Sequence, residues 1–369
     1  MGVSPCRATG QTPAWHGAAG VRLVGSHAVT ATDPAPPTPI GLTFASFMGD
    51  GLGPGLDAAR IADRLGYSSF WTAEITGPEA FTTLAAVAGV APSLGLATGV
   101  LAIQLRTAPL AAMGAASLQS AFPDREVILG LGISSPTVAA KWHGGTYGDR
   151  PLVQMREYLT VLRGCLSGET VNFEGDFYSI SRYRLNVPLP GKRPKIIVGA
   201  LNAKMLQLAG ELADGVLLNY VPASLVPWSI EQVRIGQARR ETDDPFTIYA
   251  HVHVGVCDHD AGLEQARQDL FFYSVVDAYA RSFSRAGFAD EITEIHARHA
   301  ARDRAGALAA VSDAMVDAIE IMGDADHVQK GIQEYLDNGV DVPVVMPLPW
   351  GEDRARIIEN TLTAAVGVV

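Results

Sequence analysis

Cysteine is scarce in this sequence. Cys6, Cys165 and Cys257 stand far apart, are odd in number and lack the close spacing of metal ligands. That pattern excludes a disulfide framework and a cysteine metal site, and it points to free thiols in a reducing, cytoplasmic setting. Charge is scarce too. Only 18% of residues are charged, and the balance is acidic, a net −11. A nucleic-acid surface needs clustered Lys and Arg, so nucleic acid is not an expected partner. No apolar run reaches the ~18 residues that a membrane helix needs, so no membrane partner is expected either. What remains is a chain that is 48% hydrophobic, enough for a large core and a small-molecule partner.

Residues 1–38 differ from the rest. The stretch "ATDPAPPTP" cannot hold a helix, and "AAGVRLVG" is too short for a signal-peptide core. They read as a flexible tail. From Ile40 onward, short β-type runs alternate with helical patterns. The strands are expected at 40–47, 67–74, 95–105, 126–133, 195–200, 215–220, 246–257 and 342–348. Eight βα units predict a closed (β/α)8 barrel over 39–369. A doubly wound open sheet is the alternative. Two excursions break the rhythm: a β-hairpin around Glu174-Gly175-Asp176, and a helical insertion over 258–323, between the seventh and eighth strands.

In a barrel the chemistry gathers at the C-terminal ends of the strands. The fourth strand ends in "LGLGISSPTVAAKWHGG", residues 129–145. It lacks the third glycine of a dinucleotide fingerprint and the G-x-S-x-G of a hydrolase elbow. Ser134 and Ser135 can bind a phosphate or a ring edge, or cap the next helix. At the fifth strand "VGALNAKML" runs from strand into helix. The N–H groups of Ala200, Leu201 and Asn202 are expected to point out unpaired at the positive end of that helix, a phosphate site. Glu74 ends the second strand and faces the mouth, either to orient a water or to pair with Arg106. His143 follows Trp142 in the fourth loop and is a candidate proton donor, with loop packing as the alternative. His251 and His253 alternate on the seventh strand. No third ligand accompanies them, so they read as satisfied interior histidines and no metal is expected. The aromatic run "FFYSVVDAYARSF" (271–283) reads as core of the insertion, with one edge over the pocket.

Three segments in order, "LGLGISSPTVAAKWHG", "PLVQMREYLTVLRGCLSGETVNFEGDFYSI" and "RPKIIVGALNAKMLQLAGELADGVLLNY", together with "ADRLGYSSFWTAE" and "VSDAMVDAIEIMGDADHVQKGI", resemble the luciferase-like monooxygenase superfamily. Within it the chain is most similar to the deazaflavin (coenzyme F420)-dependent oxidoreductases akin to methylenetetrahydromethanopterin reductase. The resemblance implies the same barrel, with a flavin-type ring held over a bulge in the third strand. There a cis peptide at Gly99-Val100 cradles the ring. It implies ring or phosphate contacts from Phe44, Gly99, Val100, Leu101, Ser134, Ser135, Gly199, Ala200, Leu201, Asn202 and Asn219. The implied cofactor is coenzyme F420, with FMN as the alternative. A homodimer, a small organic substrate and a separate reductase regenerating the cofactor are the implied partners. Glu74 is followed by Ile75, where luciferase and some sugar-phosphate dehydrogenases have a histidine, which argues against those two activities. The readings left open are hydride transfer with a deazaflavin, FMN-dependent monooxygenation, and cofactor binding without turnover.

Overall fold

The computed structural model describes residues 38–189 and 191–367; the expected tail and Cys6 lie outside them, apart from Thr38. Twelve strands are present among the described residues: β1 Gly41–Thr43, β2 Ser69–Thr72, β3 Gly95–Thr98, β4 Leu101–Ala102, β5 Val127–Gly132, β6 Val171–Glu174, β7 Ser179–Tyr183, β8 Lys195–Gly199, β9 Gly215–Leu218, β10 Thr247–Val256, β11 Glu320–Gly323 and β12 Val342–Pro347. All pairings of the main sheet are parallel. They run β1–β2–β3–β5–β8–β9–β10–β12, and β12 returns to β1. The sheet is therefore a closed eight-stranded barrel. The third strand of the barrel is split: β3 pairs the start of β5 and β4 its end.

The helices alternate with these strands: α1 Leu52–Leu65, α2 Ala80–Val90, α3 Ala108–Ala121, α4 Pro151–Ser167, α5 Ala203–Leu212, α6 Val226–Gln237, α7 His259–Ser274, α8 Asp277–Phe283, α9 Ala289–Ala300, α10 Arg304–Ala309, α11 Asp313–Ile319, α12 Ala325–Asp337 and α13 Arg354–Val366. Their starts follow capping rules. Thr107 caps α3 ahead of Pro109, and Ser312, Asp258 and Asp324 cap α11, α7 and α12. No helix among the described residues is long and apolar enough to cross a membrane.

Period-two alternation sorts the side chains of each strand. Trp71, Ala97, Ile128, Ile197, Leu217, Tyr249, Val342 and Val344 fill the barrel interior. Their strand neighbours, such as Phe70, Leu96, Leu129 and Val198, pack outward against the helices. Phe44 and Leu101 join that outer core. The β6–β7 hairpin is antiparallel. Its turn is tied to α4 through the Glu157 carboxylate, which accepts from the N–H groups of Asp176, Phe177 and Tyr178.

Helices α7 to α11 follow β10 and share a core of Leu270, Phe283, Ile295 and Met315. The sequence pattern reads 258–323 as a helical insertion, but its last four residues are β11. Glu320–Gly323 pairs with His253–Val256 of β10, beyond the point where β9 leaves that edge. The run "EIMG" is too short for its periodicity to separate strand from helix.

Candidate active site

The split of the third strand sets the centre of the site. The Gly99-Val100 peptide, between β3 and β4, is cis, as the resemblance implied. Around it the glycines of the neighbouring strands answer to space. A Cβ on Gly130 would stand 2.0 Å from the Thr98 carbonyl oxygen, and one on Gly132 would stand 2.5 Å from Cγ2 of Val100. A Cβ on Gly199 would lie 3.1 Å from the other Val100 methyl. The Gly-x-Gly of β5 is therefore a seat for the third strand and not a phosphate loop. Gly99 itself is closely surrounded, its missing Cβ standing 2.9 Å from Trp71 and 3.2 Å from Nε2 of His251.

Two hollows meet over this peptide at the C-terminal end of the barrel. One, about 360 Å³, extends past Gly199, Ala200, Leu201 and Asn202 to Lys204, Arg281 and Tyr147. The other, about 280 Å³, extends past Ser46, Glu74 and Ser134 to Asp269, Tyr273 and Trp350. Gly99, Val100, Gly132, Asn219, His251 and Tyr279 wall both, so they form one cavity with two arms. Its size is that of sites for small ligands and cofactors.

The floor is a buried polar group. Asn219 Oδ1 accepts from Nδ1 of His251 at 3.2 Å and from Nε2 of His253 at 3.1 Å, while Asn219 Nδ2 donates to the Tyr279 hydroxyl at 3.3 Å. Both rings are enclosed, and burial drives their pKa values down, that of His251 to about 3. Both are therefore neutral. Each uses one nitrogen on Asn219, and the other, His251 Nε2 and His253 Nδ1, has no partner. These are half-satisfied histidines, not the fully satisfied ones that their alternation suggested. His251 Nε2 is an unmatched acceptor beside Gly99, in the wall of the cavity, where a ligand N–H can meet it.

The expected nest at β8 is narrower than its sequence implied. The Ala200 N–H donates to the Leu217 carbonyl at 3.2 Å and is spent on the sheet, because the strand pairing extends one residue past β8. The N–H groups of Leu201 and Asn202 have no acceptor among the described residues. They face the larger arm at the start of α5, with Lys204 and Arg281 lining the same arm. This end suits an anion. The Asn202 side chain reaches across to the insertion, Nδ2 donating to the Ala278 carbonyl at 3.1 Å.

The other candidates divide. Glu74 lines the smaller arm, but its carboxylate is held by Arg106 through two bonds of 2.9 and 2.7 Å. Arg106 also meets Glu79 and lies 5.1 Å from the Phe81 ring centre. The ion-pair alternative describes this geometry. Ser134 lines the cavity, whereas the Ser135 hydroxyl accepts from the Val138 N–H at 3.2 Å and opens the π-helix 137–142. His143 is exposed, lies off the cavity walls and meets the Ile75 carbonyl at 2.5 Å. Phe44 and Leu101 are buried in the outer core and do not line the cavity.

Tyr273 and Tyr279 of the 271–283 run line the cavity, the edge over the pocket that the sequence pattern gave it. The residues that the pattern did not single out are Asp269, also in the wall, and Tyr220. Tyr220, at the end of β9, adopts a left-handed φ of 52° and stacks against His253 and Tyr273, with ring centres 4.0 Å apart in both cases. The helical pattern of α7 carries Asp269 and Tyr273 one turn apart, a usable signal only once the helix is known to cover the barrel mouth.

Comparison with known proteins agrees with this architecture. The luciferase-like monooxygenase family model matches residues 9–342, and the chain belongs to that family. It is 29% identical over 315 residues to 5,10-methylenetetrahydromethanopterin reductase of Methanolobus tindarius, covering 82% of this chain and 92% of that protein. Among solved structures it is similar to the coenzyme F420-dependent tetrahydromethanopterin reductase from Methanopyrus kandleri, with TM-score 0.75, 20% identity and coverage of 90% and 99%. An F420-dependent secondary alcohol dehydrogenase in complex with an F420-acetone adduct follows, with TM-score 0.71, 16% identity and coverage of 89% and 99%. These likenesses carry the fold.

Proposed function

We propose that this enzyme transfers a hydride between a deazaflavin coenzyme and a small organic substrate. The observation that carries the reading is the two-armed cavity over Gly99-Val100, with the unpartnered His251 Nε2 in its wall. The similarity to F420-dependent reductases supports the choice of coenzyme. The residues present fit such a group: Gly99, Val100 and Gly132 wall the place where the two arms meet, and two of the three carry no side chain to stand over a ring. His251 Nε2 accepts a ring N–H, and the Leu201 and Asn202 N–H groups with Lys204 suit a phosphate. When bound, the deazaflavin supplies the hydride chemistry. The protein orients it and limits water, through Tyr273, Tyr279 and Trp350 around the smaller arm. That arm, about 280 Å³, suits a small substrate.

The name of the family keeps a second reading in play, an FMN-dependent monooxygenase fed by a separate reductase. Titration of the apoprotein with coenzyme F420 and with FMN separates the two. Saturable binding of F420, followed by oxidation of the reduced coenzyme over a substrate panel, supports hydride transfer. Tight binding of FMN with no binding of F420 overturns it. F420 binding without turnover over the panel leaves a non-catalytic carrier.

A further inference from the structure

Behind the smaller arm lies a second buried group. Glu320 on β11 stands in register with His253 on β10, and it is fully buried. Asp269 of α7 reaches the same point: one donor atom from each of His253, Asp269 and Glu320 lies within 4.8 Å of the others. The Tyr220 hydroxyl donates to Asp269 Oδ2 at 2.5 Å. Neither oxygen of Glu320 meets a hydrogen-bond donor, and no Lys or Arg among the described residues pairs with either carboxyl. Two carboxylates cannot both stay ionised in such a place. Asp269 lines the cavity, while Glu320 sits behind it.

We propose that Asp269 and Glu320 hold one shared proton at the end of the substrate arm, and that Asp269 delivers it to the substrate. The inference rests on the hydride-transfer reading for its second half only. The substrate carbon of a C=O or C=N bond gains a hydride from the reduced deazaflavin, and the π-electron pair moves to oxygen or nitrogen. That atom takes the proton from Asp269. The pair is doubly ionised only transiently and regains a proton from solvent as product leaves. The arrangement therefore selects carbonyl or imine substrates, whose heteroatom becomes basic as the hydride arrives. In the reverse direction Asp269 accepts the proton from an alcohol or amine.

The surroundings favour a neutral carboxyl. Burial raises the pKa of both acids, and the Asp269 charge raises that of Glu320 further. The other titratable groups facing them are Tyr220 at the end of β9, Tyr273 on α7, Tyr279 on α8 and His253 on β10. Burial holds the three hydroxyls protonated and the imidazole neutral. None supplies a positive charge near neutral pH, and the pair titrates as a unit.

Infrared difference spectroscopy on the whole protein reads the proton directly. At pH 7 the parent should show the carbonyl stretch of a protonated carboxyl, shifted in D2O. The Asp269→Asn, Glu320→Gln double variant should abolish it, each single substitution should shift it, and Tyr220→Phe should move it without removing it. A parent lacking the band, a band that survives both substitutions, or a divalent ion bound stoichiometrically at these residues would overturn the shared proton. For delivery, reduced F420 is mixed with a panel of small ketones and imines. Asp269→Asn should lower kcat/KM by about 10²–10⁴-fold, with F420 affinity unchanged. Glu320→Gln, acting through Asp269, should shift the pH profile of kcat/KM. If the parent turns over and Asp269→Asn matches it, delivery by Asp269 fails while hydride transfer stands. A parent that binds no F420, or consumes none, removes hydride transfer and the donor role with it, and the infrared result still decides the shared proton.

Discussion

The two ends of the barrel spend their polar groups differently. At the N-terminal end, Asp214 stands just before β9 and clasps Ile196 of β8: its N–H donates to the Ile196 carbonyl and its carboxylate accepts the Ile196 N–H, both at 2.7 Å. Asp341 repeats the device before β12, clasping Ile248 of β10 at 2.9 and 2.7 Å. Lys195 pairs with Glu126, and Arg125 donates to the carbonyls of Ala88 and Ala91. One buried side-chain atom there lacks a partner, Gln119 Oε1. At the C-terminal end, His251 Nε2, His253 Nδ1, Asn202 Oδ1 and the Glu320 carboxyl all lack one. A buried polar atom left unpaired costs about 1–3 kcal/mol. The first end closes the fold, and the second leaves buried polar atoms in and behind the cavity wall unpaired, at the expense of stability.

The sharpest way to break this contrast is Asp214→Ala. It leaves the Ile196 N–H without its side-chain acceptor and deprives Arg163 and Arg240 of their shared counter-charge. Chemical denaturation should find about 2–3 kcal/mol of stability lost. Cofactor affinity of the folded fraction should equal the parent's, since Asp214 touches neither arm of the cavity. A variant that loses binding while keeping its stability would mean that the two ends are not separate.

Leu201→Pro makes the opposite demand at the other end. It deletes one of the two free N–H groups at the start of α5 and restricts Ala200. A charge-assisted bond is worth about 1.5–3 kcal/mol, so affinity should fall roughly tenfold to a hundredfold. Circular dichroism establishes that the variant is folded, and titration with F420 gives the affinity. Equal affinity in a folded variant would move the phosphate away from β8 and toward Ser134.

How much of this contrast was written in the sequence differs between the two ends. Eight strands followed from alternation and spacing, because each is a short apolar run bounded by turn residues and followed by a helical pattern. The third-strand seat was legible in Gly99 and in the β5 glycines only through resemblance. The spacing of glycines does not say whether they admit a phosphate or the methyls of Val100. The role of Ala200 could not be read, since whether its N–H is free depends on where β9 ends. The Asp269–Glu320 pair was out of reach, because its members stand 51 positions apart and β11 brings them together. Its strand was hidden inside a helical stretch.

The histidines sharpen the comparison through pH. His251 has a folded pKa of about 3 against an ordinary 6.5. Between those values the unfolded chain binds one more proton than the folded one, so stability rises with pH there and is lost as pH falls. Near pH 5 the loss from this one group is about 2 kcal/mol. His251→Phe should abolish that share of the acid sensitivity while weakening cofactor binding, as thermal unfolding at pH 7 and pH 5 and a parallel titration would register. An unchanged difference between the two pH values would mean that the imidazole is solvated and that its Nε2 is not held for a ligand.

The smallest effect belongs to Asn202→Ala. The Asn202 side chain does not approach the cavity through its amide nitrogen, which is spent on the Ala278 carbonyl at 3.1 Å. What the larger arm receives from this residue is the backbone N–H, and alanine keeps it. The substitution also removes a buried oxygen that has no partner, Oδ1, which offsets part of the lost bond to α8. A typical bond contributes about 0.5–1.5 kcal/mol net. The balance should therefore be a change in cofactor affinity of a few-fold at most, far below that of Leu201→Pro. The change should show in the dissociation rate more than in the association rate, because what is loosened is the anchor between the start of α5 and the insertion that covers the cavity. Stopped-flow measurement of both rates tests this. A loss as large as that of Leu201→Pro would assign the cofactor contact to the side chain and not to the backbone.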